Sequence, residues 1–504
     1  MRGSPPPRDP PGREWLGLGA LAVVLSLRAY WPTLSSGWTD TDILADYACA
    51  ARGWRSLLEP LTCGVAGDNA NFWRPAAMLQ FWLLRATLGD WVLGWHLWSL
   101  ALHVVNATLL GGLVRRHAGL PQGALATLLF AGHPLGVEIV PALARNLELS
   151  FCLGVLGALY TVGRPGSWAF ALLALTSKEA GVLLLPVLAV YAPRQTRWAP
   201  LLLGFVAYAL SRHAVLEGLG GYGTAPDIAS LAVAPVELML PSLGAVAPPL
   251  RGPGAGWAAM ALAGLAVTTW VASRTAARSL SLAMALVLGG SLALYAVTGT
   301  YSRRLLYLPS AAACVLVALA FGRAFAIRNR PGLLLGGAWF AAWVHGSPIY
   351  RPYTDWQLAT AAVEPFLRAE AWREIPDGAT VWVVDRPARV DAEPRRFRYW
   401  STRKTLNNTA ALYSIEAWVH EHTGKRVELE HISSMAMAAH AVVATMTVDP
   451  LVVVRPGAQR SLSTRSPFTL AEDDGALRIE GRGTVMVWNP GGVQTRVLGD
   501  EGGQ

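Results

Sequence analysis

The stretch Gly37 to Tyr47, GWTDTDILADY, sets Asp40, Asp42 and Asp46 directly after an apolar run, in a chain with only 33 Asp and Glu among 504 residues. A carboxylate at such an edge can take the proton from a hydroxyl as the oxygen attacks. The simpler reading is that these acids solvate a loop and cap a short helix. Four more polar clusters interrupt the apolar chain: Arg74, the loop HPLGVEIVPALARNLE from His133 to Glu148, Lys178-Glu179, and Tyr301 to Arg304. Ionisable groups at the rim of a bilayer are costly to hold and mark functional sites. Each also has a plainer reading: His133-Pro134 starts a helix, Lys178-Glu179 is a neighbouring ion pair, and Arg303-Arg304 snorkel to headgroups. Acid on one side and Arg and Lys on the other suit transfer from an anionic lipid donor to a hydroxyl. The carboxylate would serve as base, while the cations hold a phosphate leaving group whose charge grows in the transition state. A single displacement at a sugar's anomeric carbon would invert its configuration.

The elements that carry these residues read as membrane helices. Hydrophobic residues make up 53% of the chain and charged residues 15%, and mean hydropathy is +0.35, which excludes an ordinary soluble protein. The net charge of +9 comes in short basic runs between apolar stretches. That distribution is a topology signal and not a nucleic-acid footprint. The four cysteines, Cys49, Cys63, Cys152 and Cys314, have no zinc spacing. Cys49 and Cys63 share the first outer loop, and a bridge between them is expected in an oxidising compartment.

Residues 1–14, rich in Pro and basic, form a disordered cytoplasmic tail. Residues 15–348 carry about eleven crossings, the first from Trp15 to Thr33. The segment after Arg74-Pro75 is an interfacial helix and not a crossing. The runs Trp168 to Thr176 and Ala180 to Tyr191 are too short for isolated spans, so broken or tilted helices are expected there. From 350 to 504 charged residues alternate with short β-branched runs, at Thr380 to Asp385, around Val427 and from Ala441. This part reads as a soluble extracytoplasmic α/β domain.

The segments FWRPAAMLQFWLL, WHLWSLALHVVNATLL, HPLGVEIVPALARNLELSFCLGVL, LTSKEAGVLLLPVL and SRRLLYLPSAAACVLVAL follow the acidic loop in this order. Together, over Trp38 to Ala320, they resemble the GT-C superfamily of polyprenyl-phosphate-sugar-dependent glycosyltransferases. They are most similar to the tetratricopeptide-carrying O-mannosyltransferases and their bacterial relatives. The resemblance implies a first-loop acid, Asp40 or Asp42, as catalytic residue. The family's paired acids stand here as Asp40-Thr41-Asp42, its R-A-D as Arg145-Asn146-Leu147-Glu148, and no tetratricopeptide repeats follow.

The sequence therefore leads to an α-helical polytopic membrane protein, GT-C-like, with a C-terminal α/β domain. Its activity would be a mannosyltransferase-like transfer from a polyprenyl-phosphate-linked sugar to a hydroxyl acceptor of unknown identity, at the outer face of the inner (cytoplasmic) membrane. Asp40 and Asp42 are the catalytic candidates, and they would hold a divalent metal ion if one is used; no other cofactor is implied. Arg74, Lys178, Arg303 and Arg304 would bind donor phosphate; His133, Glu138, Arg145, Glu179 and Tyr301 would contact sugar or acceptor. The partners are donor, acceptor and membrane lipids, with no nucleic acid. A transporter or lipid flippase is the alternative, and a binding protein anchored by its helices a further one. The basic turns at Arg115, Arg194, Arg274 and Arg323 put the N-terminus inside and the C-terminal part outside. Reporter fusions at Pro5 and near Gly424 should report opposite sides; the same side for both would break the scheme.

Overall fold

The computed structural model describes residues 12–38, 72–133, 135–136, 139–216, 238, 255–298, 303–326, 370–373, 375–384, 418–420, 422–434, 443–446, 451–454, 460–461, 468–473, 476–481, 483–489 and 492–498. The helices are α1 (Gly12–Tyr30), α2 (Pro75–Leu88), α3 (Val92–Ala118), α4 (Leu120–Ala131), α5 (Asn146–Tyr160), α6 (Gly166–Ser177), α7 (Leu184–Tyr191), α8 (Trp198–Leu216), α9 (Ala255–Ser273), α10 (Arg278–Val297) and α11 (Tyr307–Ala326). Among the described residues, four helical stretches, Gly12–Ser35, Val92–Ala118, Trp198–Leu216 and Arg278–Val297, are long and apolar enough to cross a membrane. Helices also occupy the shorter expected crossings, while Leu333 to Val344 lies outside the described residues. The acidic loop with Asp40, Asp42, Cys49 and Cys63 lies outside them as well.

The bundle is built around α11, which packs on α3, α4, α5, α9 and α10. Its residues from Tyr307 to Leu319 are buried on every side, as expected of a helix that is apolar all round. Small residues, Ser310 and Ala311 to Ala313, permit that many neighbours to approach.

Helix α3 runs for 27 residues, about 40 Å at 1.5 Å per residue, and carries a polar stripe at His96, Ser99, His103 and Asn106. All four are buried, and their spacing of three, four and three residues keeps them on one face. A polar group in an apolar bundle must find a partner inside it. His96 Nε2 donates to the carbonyl of Ser36 at 3.0 Å, and Ser99 Oγ donates to Asn146 Oδ1 at 2.7 Å. His103 Nε2 reaches the Ala131 carbonyl at 3.1 Å. A carbonyl only accepts, so Nε2 carries the proton, and a neutral imidazole then accepts from the Tyr307 hydroxyl at Nδ1, 2.6 Å away. Asn106 Nδ2 donates to the Leu149 carbonyl at 2.9 Å. The stripe thus ties α3 to the end of α1, the end of α4, the start of α5 and α11.

The basic end of α3 gathers a second set of helix termini. Arg115 pairs with Glu14 at the start of α1 (2.5 Å), and Arg116 donates to the Tyr160 carbonyl at the end of α5 (2.7 Å). His117 hydrogen-bonds the Tyr191 hydroxyl at the end of α7 (2.8 Å). Cations here also oppose the negative end of the α3 dipole.

In the C-terminal part, β1 (Ala379–Val384), β2 (Val427–Ser434), β5 (Arg460–Ser461), β8 (Gly483–Asn489) and β9 (Gly492–Leu498) form a sheet in the order β5-β2-β1-β8-β9. In it β1 runs parallel to both β2 and β8. The strands β3 (Val443–Met446), β4 (Leu451–Val454), β6 (Phe468–Asp473) and β7 (Ala476–Gly481) form a second sheet in the order β3-β4-β7-β6, antiparallel throughout. Strands therefore occur at the β-branched runs from Thr380, around Val427 and from Ala441. The helical spacing expected over Asp355 to Arg373 and Lys404 to His422 lies mostly outside the described residues.

Helices α5 and α6 pack closely because Gly154 lets them. A Cβ at Gly154 would sit 2.5 Å from the backbone nitrogen of Ala174, a contact that only backbone movement could relieve. Gly154→Ala should therefore destabilise the protein by about 1–3 kcal/mol through overpacking. Gly289→Ala, where a Cβ meets nothing within 4 Å, should instead be neutral or stabilising. Thermal unfolding of the two purified variants, run side by side, checks the contrast.

Candidate active site

The polar residues at the other end of the bundle converge through one kink. Helix α6 stops at Ser177, Lys178 is extended (φ −158°, ψ 141°), and a 3-10 turn begins at Glu179. Neighbouring side chains on extended backbone point to opposite sides. Lys178 and Glu179 accordingly find different partners and do not pair with each other.

Lys178 Nζ meets Glu148 Oε1 at 2.5 Å, with both side chains buried, at 6% and 5% exposure. The rings of Phe151 and Tyr295 flank the ammonium at 5.8 and 5.5 Å. Glu148 stands in the first turn of α5, where the helix dipole favours a carboxylate. Glu179 faces the other way, toward α2 and α8. Arg74, the residue before Pro75 at the start of α2, grips it with Nε at 3.1 and 3.2 Å and with a second nitrogen at 2.9 Å. Arg212 near the end of α8 reaches the same carboxylate at 3.1 Å. Tyr208, one turn earlier, stacks on Trp73 (ring centroids 5.4 Å), and its hydroxyl lies 3.4 Å from Arg212. Five charged side chains from α2, α5, α8 and the α6 kink thus lie in two linked clusters, three cations and two carboxylates.

Of the sequence-predicted residues the structure places Arg74 against Glu179, and Lys178 beside Glu148, which was not a candidate. His133 is buried in the turn after α4, where burial pushes its imidazole down to about 3. It is therefore neutral, and its Nδ1 accepts from the Leu135 backbone N–H at 3.3 Å. Arg145 is half-buried in the 3-10 turn Leu143–Arg145 that leads into α5. Arg303 and Arg304 belong to the 3-10 turn Arg303–Leu306 ahead of α11, but their side chains lie outside the described residues. Asp40, Asp42, Glu138 and Tyr301 also lie outside them. Among the described residues no group of three or more His, Cys, Asp or Glu side chains could hold a metal ion. Sequence reasoning passed over Arg212 and Tyr208. Their only signal was a polar Ser-Arg-His at the end of an otherwise apolar helix, which reads as a helix terminus.

Chemically, the arrangement is a largely buried cluster of three cations held in place by two carboxylates. An arginine with two good hydrogen bonds to one carboxylate is pre-shaped for another planar or tetrahedral oxyanion.

Part of the chain is similar in sequence to a known protein. Over 145 residues the chain is 33% identical to protein O-mannosyl-transferase Tmtc1 of Drosophila melanogaster; the match takes in 27% of this chain and 16% of that relative. No protein-family profile matches the chain. In overall shape it is similar to ArnT from Cupriavidus metallidurans bound to undecaprenyl phosphate, with a TM-score of 0.48, 10% identity, and coverage of 82% of this chain and 88% of that one. The apo state of the same protein gives a TM-score of 0.44 and 12% identity over 76% of this chain and 84% of that one.

The buried pair yields a test of structure apart from activity. Glu148→Leu should cost about 3–5 kcal/mol, because it strands the Lys178 ammonium in apolar surroundings, whereas adding Lys178→Met should recover most of that loss. Unfolding of the single and double variants in detergent measures both. A double variant no more stable than Glu148→Leu would mean that the pair is not buried together.

Proposed function

We propose that the chain is a polytopic GT-C-type glycosyltransferase that moves a sugar from a polyprenyl-phosphate donor to a hydroxyl acceptor with inversion. In this reading it works at the outer face of the cytoplasmic membrane, with about eleven crossings, a cytoplasmic N-terminus and a soluble extracytoplasmic α/β domain after residue 350. The observation that carries the proposal is the cluster in which Arg74 and Arg212 share Glu179 beside the buried Lys178–Glu148 pair. The similarity to an O-mannosyl-transferase over 145 residues supports the mannosyl class of sugar.

The donor phosphate takes the place of a carboxylate oxygen at Arg74, with Lys178, Arg303 and Arg304 adding positive charge. Growing charge on the leaving phosphate is stabilised by groups already oriented, so little reorganisation accompanies the reaction. Asp40 or Asp42 removes the acceptor's proton on the opposite side of the anomeric carbon. His133, Glu138, Arg145, Glu179 and Tyr301 contact sugar or acceptor. Should a divalent metal ion take part, Asp40 and Asp42 are the residues that would hold it. The second reading, a lipid transporter or flippase, draws on the broken helix at Lys178, since interrupted helices also line transport sites.

Incubation of the purified protein with a panel of polyprenyl-phosphate sugars separates the two, because only a transferase releases polyprenyl phosphate. Asp→Asn at the base should lower turnover by at least about 10²-fold with donor binding nearly intact. Arg74→Ala should weaken donor binding about tenfold or more, the scale of a lost hydrogen bond to a charged group. Full turnover in both Asp40→Asn and Asp42→Asn would remove the first loop from catalysis.

A further inference from the structure

The ion pairs around the broken helix belong to a closed ring. From Arg74, helix α2 leads to Gln80, about 9 Å along the axis at 1.5 Å per residue. Gln80 Oε1 accepts from the Ser150 hydroxyl of α5 at 2.7 Å. Two residues back on α5, Glu148 holds Lys178 at 2.5 Å. Glu179, the next residue after Lys178, returns to Arg74 at 2.9 Å. Three polar contacts and three short lengths of chain thus close on themselves.

The start of α5 shows how the ring is braced. Residues one turn apart share a helix face, whereas residues two apart lie on nearly opposite ones. Glu148 and Phe151 accordingly meet Lys178, while Asn146 and Ser150 face α3 and α2. Ser99 of α3 donates to Asn146 at 2.7 Å, and Gln80 of α2 receives Ser150. Helix α5 is gripped on one face and presents its carboxylate on the other.

On α2, Gln80 is the one amide, hydroxyl or charged side chain between Arg74 and Arg85. The buried residues around it, Ala77, Met78, Phe81, Trp82 and Leu84, are apolar, and apolar contact is non-directional. Such packing holds α2 in the bundle without fixing its rotation or height. A hydrogen bond is directional and fixes both. The stabilising value of the amide is small, because its Nε2 is buried with no partner among the described residues, and an unpaired buried donor destabilises.

We propose that Gln80 is a positioning residue for the donor phosphate: by tying α2 to the start of α5 it fixes Arg74 relative to Lys178, so that both cations meet one phosphate. The inference rests on the reading that Arg74 and Lys178 bind the donor phosphate. Two cations whose separation is already set lose little freedom when an anion arrives, which strengthens binding. Gln80 acts through Arg74 and is not itself a ligand.

The test uses the full-length protein in detergent with polyprenyl phosphate, the product of the proposed transfer, so that binding is read without turnover. Dissociation constants are measured for wild type, Gln80→Met, Ser150→Ala, these two combined, Arg74→Ala, and Arg74→Ala combined with each of Gln80→Met and Ser150→Ala. The melting temperature of each is recorded without ligand. Methionine keeps the length of glutamine and adapts to its surroundings, and Ser150 can turn its hydroxyl to its own helix backbone. Gln80→Met should weaken binding about fivefold or more, the scale of one hydrogen bond. Its melting temperature should equal or exceed that of wild type, because an apolar side chain replaces a half-satisfied amide. Ser150→Ala should weaken binding to the same extent, and the combined variant no further, as residues that share one contact do. With Arg74→Ala already present, Gln80→Met should change binding by less than about twofold, since its effect passes through Arg74. A role in general packing would instead lower the melting temperature and weaken binding equally in both backgrounds, and that result overturns the proposal. If Gln80→Met fails to fold, Ser150→Ala, a change that favours helix, decides by the same comparison with and without Arg74→Ala. Wild-type affinity in both Gln80→Met and Ser150→Ala overturns the positioning role and leaves the donor site standing. A wild-type protein that binds no polyprenyl phosphate overturns the donor-phosphate reading, and the positioning role with it.

Discussion

The buried pairing of Lys178 with Glu148 constrains the chain more than any other contact described here. Neither charge could be held among apolar side chains alone, since the penalty for stripping water from an ion is several kcal/mol even after the protein relaxes. Once both are buried they must meet, and that requires the start of α5 and the end of α6 to lie at one level. The extended residue at the end of α6 adds a second requirement. With Lys178 turned toward α5, Glu179 must turn toward α2 and α8, where Arg74 and Arg212 receive it. One kink therefore sets the level of four elements.

The same logic runs through the rest of the bundle. The polar stripe of α3 has its partners at the ends of α1 and α4, the start of α5 and α11, and its basic end meets Glu14, Tyr160 and Tyr191. Chain segments that begin at one end of the bundle finish at the other, so the charged cluster around Lys178 and the basic anchors of α3 lie at opposite ends. The aromatic cluster around Trp38 and Trp418 then links the Lys178 end to the C-terminal sheet.

Much of this was legible in the residues. Apolar runs bounded by basic turns located the helices to within a few residues, because membrane helices must satisfy their backbone internally and need a fixed length of apolar chain. The helix after Arg74-Pro75 was visible for a local reason too, since proline favours the first helical turn. The break at Lys178 was expected from the shortness of the runs on either side. Short β-branched runs marked β1, β2 and β3.

What the sequence by itself determined, then, is the kind of element at each described position, because hydropathy and turn chemistry are local. Only the tertiary structure decided who meets whom. Lys178 and Glu179, adjacent in sequence, belong to different ion pairs, with partners 30 residues away on α5 and 105 away on α2. Arg212 joined the charged cluster although its neighbours in sequence spelled a helix end, and Trp418 joined Trp38 and Phe72 as one of 21 tryptophans. Those choices rest on the low dielectric of the interior, which makes an unpaired charge or polar group intolerable and selects partners by proximity in the fold. No spacing along the chain encodes that proximity.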